Sequence, residues 1–120
     1  MKIAYRQQDA VEIFELDGEV DFHSSPELRD KLQAQVQKRA DKILICLKKV
    51  KYIDSSGLAT FVEALQKVKR YNGQLVLSGL APAVRSVFEI AKLDSVFSLA
   101  HTQEEAHALL VNPKGLAPEA

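Results

Sequence analysis

The sequence predicts a single α/β domain built on a mixed sheet of four to five strands with about four helices. Three observations carry that expectation. Apolar segments of strand length alternate along the chain with segments of helical periodicity, the pattern of a largely parallel sheet with crossover helices. One segment, Ile43-Leu44-Ile45-Cys46-Leu47, is apolar without alternation, as a strand covered on both faces must be. The chain also opens with two short strand-like runs joined by the polar turn Gln7-Gln8-Asp9-Ala10, a hairpin that argues against a wholly parallel sheet.

Lys2 to Arg6 and Val11 to Leu16 form that hairpin, antiparallel at one side of the sheet. Ser24-Ser25-Pro26-Glu27 starts a helix to about Arg39, with proline in the first turn and capping-box spacing between Ser24 and Glu27. Its apolar stripe is Leu28, Leu32 and Val36, so one face is buried. Ile43 to Leu47 is the central parallel strand. The next helix carries Leu58, Phe61, Val62, Leu65 and Val68 at helical spacing and ends near Asn72-Gly73, residues that tolerate the left-handed conformation. Leu75-Val76-Leu77 gives another buried strand. Pro82 opens a third helix with Val84, Val87, Phe88 and Ala91 on one face, and Val96-Phe97-Ser98-Leu99 follows as a short strand. Thr102 and Glu105 have the spacing of a capping box for the last helix. Residues 1–110 make the domain. Residues 111–120 contain two prolines and no periodicity and are expected to be a mobile tail.

Composition narrows the function. The chain has 120 residues, 47% of them hydrophobic and 27% charged, ordinary for a domain that buries a core. Sixteen basic and sixteen acidic residues cancel, so no overall field draws nucleic acid or an anionic membrane. The N-terminus lacks the apolar core of a signal peptide and no run is long enough to span a bilayer, so a cytoplasmic location is expected. Cys46, the sole cysteine, sits in the central strand and reads as a small buried hydrophobe.

The most informative segment is Lys51-Tyr52-Ile53-Asp54-Ser55-Ser56-Gly57-Leu58, where an apolar strand ends in a carboxylate, two hydroxyls and a glycine before a helix begins. Ser55 or Ser56 there either caps the helix or is presented for chemistry, and spacing does not choose between them. Gly57 adds little bulk, which suggests that another surface approaches closely. The elbow lacks the first glycine of Gly-x-Ser-x-Gly, and His23, His101 and His107 have no spacing that marks a base, so hydrolase chemistry is unsupported. Asp17-Gly18-Glu19-Val20-Asp21 invites comparison with a calcium loop, but Phe22 and Leu28 stand where such a loop needs glycine and glutamate. No glycine-rich phosphate loop is present. Lys48, Lys49 and Lys51, with Lys42, form a basic run that is either solvated surface or a rim for an acidic partner.

Asp-Ser-Ser-Gly-Leu after an apolar strand, with Leu16-Asp17-Gly18-Glu19-Val20-Asp21 ahead of it and Gly73-Gln74-Leu75-Val76-Leu77 behind, resembles the STAS domain family, and within it the single-domain bacterial anti-sigma factor antagonists. The resemblance runs from about Val11 to Leu110. It implies that Ser55 is a phosphate acceptor, and that Asp21, Asp54, Ser55, Ser56, Gly57 and Leu58 form a partner face. It implies a partner, an anti-sigma factor with a histidine-kinase-like ATPase fold, which binds the unphosphorylated chain and releases it on phosphorylation. A serine phosphatase then resets the switch. ATP and magnesium would belong to the kinase, leaving this chain a substrate and binding module without cofactor, metal or enzymatic activity of its own. The alternative is a STAS subunit of another assembly, such as a lipid-transport complex or a stress-sensing scaffold.

Overall fold

Strand β1 (Lys2–Gln8) turns into β2 (Val11–Val20) through Asp9 and Ala10 alone, both at positive φ of 55° and 64°. That is the backbone of a two-residue hairpin whose twist matches its strands, which is why the strands run longer than the polar residues around them suggest. The fold is that of a computed structural model, which describes residues 1–111. After the hairpin come α1 (Ser25–Gln37), β3 (Lys42–Ile53), α2 (Ser55–Arg70), β4 (Gln74–Ser78), α3 (Pro82–Ile90), β5 (Ser98–Ala100) and α4 (Gln103–Val111). The five strands lie in chain order, with β1 antiparallel to β2 and every later pairing parallel.

Sequential order with parallel crossovers of one hand places the connecting helices on the same side of the sheet. Accordingly α1, α2 and α3 cover one face, burying Leu28, Leu32, Phe61, Val68, Val84 and Phe88 against Phe14, Ile43, Ile45, Leu47 and Leu77. Helix α4 covers the other face, where Ala106 and Leu110 pack on Val11, Ile13, Leu44, Cys46 and Val76. The unalternating run in β3 is thereby explained, since both of its faces are inside. Cys46 is buried and free, as read from its neighbours.

Several local expectations need correction. Ser24 precedes α1, but its backbone is already helical (φ −92°, ψ −20°) and its hydroxyl does not cap the helix. The hydroxyl donates instead to the carbonyl of Glu19 at 2.7 Å, so no capping box forms with Glu27. Ala91 lies beyond the end of α3 and is exposed. Val96 is exposed too, and the last strand begins only at Ser98; Phe97 just before it packs edge-on to Phe88 with centroids 5.5 Å apart. At α4 the Thr102 hydroxyl accepts from Glu105 N at 3.1 Å, while the Glu105 carboxylate accepts from His101 N at 3.0 Å, one residue earlier than the expected box. Val111, placed in the tail by its sequence, is the last residue of α4; the rest of the expected tail, 112–120, lies outside the described residues.

Candidate functional site

Strands β2 and β3 are parallel and end together, with Val20 paired to Ile53, so the segments that follow them emerge side by side. The segment after β2 is a tight turn. Asp21 anchors it: Oδ1 accepts from His23 N and Ser24 N, both at 3.0 Å, and from the Ser24 hydroxyl at 3.2 Å. The Ser24 N–H first, and the further donors with it, hold the Asp21 carboxyl below its ordinary value. The Asp21 carbonyl in turn accepts from Ser25 N at 2.8 Å and opens α1.

Asp54 does the same work after β3, and links the two segments. It is the N-cap of α2, in extended backbone, with Oδ1 accepting from Gly57 N at 3.0 Å. Its other oxygen accepts from Phe22 N at 3.1 Å, across 32 residues of chain. Its own N–H donates to the carbonyl of Val20 at 3.2 Å. The cap is therefore Asp54, and neither Ser55 nor Ser56. Ser55 is the first helical residue and is exposed; Ser56 is half-buried, and its carbonyl accepts from the Thr60 hydroxyl at 3.0 Å.

Gly57 overturns the expectation placed on it. It is buried, and a Cβ there would stand 2.5 Å from the Val20 carbonyl oxygen, 2.8 Å from Val20 Cγ1 and 2.9 Å from Ile53 Cγ1. The close approach is made by the chain's own β2, which leaves no room for a partner's backbone. Leu58 is half-buried and packs on the core. The basic run also disperses. Lys51 borders the same concavity as Asp21, Lys48 lies beside Gly79, and Lys42 is paired with Gln74 at the far end of β3. One residue to which the sequence assigns no role at the site is Phe22, 64% exposed in the Asp21 turn. An aromatic residue within a polar loop was the available signal.

Among the described residues, no group of three or more histidine, cysteine or acidic side chains is placed to hold a metal ion, and no helix is long and apolar enough to cross a membrane. His23 stacks on Phe22, His107 faces Asp9 at 3.2 Å, and His101 joins the α4 cap through its backbone.

The family model described as the STAS domain matches residues 2–106. The chain belongs to the STAS domain family. Within it, the anti-sigma-B factor antagonist of Bacillus subtilis (strain 168) is 38% identical over 87 residues, 72% of this chain and 79% of that protein. The crystal structure of an anti-sigma factor antagonist from Mycobacterium paratuberculosis superposes with a TM-score of 0.85 at 23% identity, covering 92% of this chain and 94% of the other. The Bacillus cell fate determinant SpoIIAA in its phosphorylated form superposes with a TM-score of 0.72 at 22% identity, covering 88% and 96% of the two chains. At such identities the two structures share the STAS fold with this chain, a five-stranded mixed sheet with four helices.

Proposed function

We propose that this STAS domain is an anti-sigma factor antagonist working by partner switching. Unphosphorylated, it binds a kinase-type anti-sigma factor of histidine-kinase-like ATPase fold; phosphorylated on Ser55, it is released until a serine phosphatase resets it. The observation that carries the reading is an exposed Ser55 on the first turn of α2, beside the Asp21 turn and directly after Asp54. The kinship with an anti-sigma-B factor antagonist supports the partner class.

The physics of the position suits a switch. A phosphate adds about −1.5 to −2 charges, and at a helix start the free N–H groups and the dipole accommodate it with little refolding. That SpoIIAA has been solved in a phosphorylated form is in keeping with a fold that survives the modification. The added charge lies directly after Asp54, whose carboxylate is bonded to the turn that follows Asp21, so its effect falls on what the surface accepts. In the partner face we place Asp21, Asp54, Ser55, Ser56 and the exposed part of Leu58, with Gly57 as packing beneath it. The test is to incubate the chain with its cognate anti-sigma factor kinase and ATP and map the product by mass. One phosphate on Ser55 is expected; phosphate on Ser56, or none, contradicts the assignment.

A further inference from the structure

The chain has five phenylalanines, and four of them, Phe14, Phe61, Phe88 and Phe97, are no more than 5% exposed, whereas Phe22 is 64% exposed. A single exposed apolar side chain is common on protein surfaces and by itself means nothing. Phe22 differs in how it is held. Its N–H is bonded to Asp54 Oδ2 at 3.1 Å, and the next N–H, that of His23, to Asp21 Oδ1 at 3.0 Å. The His23 ring lies against the Phe22 ring with centroids 4.2 Å apart. An aromatic ring on a backbone pinned from two sides loses little freedom on binding, the condition under which aromatic side chains contribute most to an interface. Its place matters equally, because the residue that pins it, Asp54, immediately precedes Ser55.

Building on the function proposed above, we infer that Phe22 is an aromatic anchor of the partner interface, seated in an apolar pocket on the kinase-type anti-sigma factor. Glu19, Asp21 and Glu27, together with Met1, His23 and Lys51, give the concavity beside the anchor a mixed polar rim. A complementary surface therefore presents an apolar centre within a polar rim. Phe22 thus sets the affinity, and Ser55 sets whether the complex can form.

Titration of Phe22→Ala and Phe22→Leu against the anti-sigma factor kinase, each compared with the native chain, tests the anchor. Phe22→Ala is expected to weaken binding at least about tenfold, the loss typical of a truncated aromatic hot spot, and Phe22→Leu to lose less. The thermal midpoint should stay near native, because the ring contributes little to the core. In phosphorylation assays KM for the protein substrate should rise while kcat holds, since the ring contributes to binding and takes no part in the transfer itself. Should Phe22→Ala melt early, p-benzoylphenylalanine placed at position 22 decides instead: a photocrosslink to the kinase supports the anchor, and its absence overturns it. Native-like affinity of Phe22→Ala overturns the anchor while leaving the switch standing. A native chain that neither binds nor accepts phosphate overturns both.

Discussion

Gly57 and Asp54 show how two neighbouring residues can hold one site by opposite means. Asp54 spends both carboxylate oxygens on backbone donors, one in α2 and one in the loop after β2. Gly57 contributes by having no side chain, which lets the first turn of α2 sit on Val20. The first role was half legible in the sequence, since aspartate before a helix is a favoured cap. The second was legible only as smallness. Whether a glycine makes room for a partner or for the chain itself depends on which residue lies opposite, and Val20 is far away in sequence. Gly57→Ala is therefore expected to lower stability by about 1–3 kcal/mol, the usual cost of an inserted methyl group in a packed site, because the backbone oxygen it meets cannot turn aside. Urea denaturation measures this, and an unchanged midpoint would show that α2 lifts without cost.

The hairpin and α1 meet around a carboxylate with only 5% of its surface exposed, Glu12. Burial pushes its carboxyl up, but the hydrogen bonds from Tyr5 and Gln7 and the nearby Lys38 ammonium outweigh that and leave it lowered. A carboxyl lowered in the fold stabilises it above the ordinary glutamate value of 4.5, and that stability is lost as pH falls through the lower folded value. The native chain should thus lose stability below about pH 4.5 more steeply than Glu12→Gln, as thermal melts from pH 7 to 3 would show; parallel curves would remove Glu12 from the account. No element pattern announces this network. Periodicity identified the strands and helices well, from the unalternating β3 to the stripe on α2, because burial on a known face is written in every third or second residue. It failed at ends, where Ser24 turned its hydroxyl to Glu19 instead of its helix and where Asp9 and Ala10 let the hairpin strands run on. Ends are decided by single hydrogen bonds, and several local partners compete for each.

Across the whole molecule the sheet and its two helical layers carry stability, and on the proposed function the loops at the ends of β2 and β3 carry recognition. Substitutions at Ser55 should separate the two. Ser55→Asp puts a negative charge where the α2 dipole favours it, and Ser55→Ala removes an exposed hydroxyl, so both should fold within about 1 kcal/mol of native. Binding of Ser55→Asp to the anti-sigma factor should weaken by about 2–5 kcal/mol, as for an unpaired charge forced into an interface, while Ser55→Ala binds and cannot be switched off. Calorimetric titration beside thermal melts distinguishes this from equal affinities, which would reduce Ser55 to a surface serine. The hydrogen bond between Phe22 and Asp54 also has a bearing on when the protein becomes competent. A contact spanning 32 residues closes a long loop, and the loop after β2 has no partner for its Phe22 N–H until β3 has been made and paired. A nascent chain that has not yet extruded Asp54 thus lacks the finished recognition face, whatever local structure its first half has gained. On the proposed function, such a half-made chain does not yet offer the surface that its partner would engage.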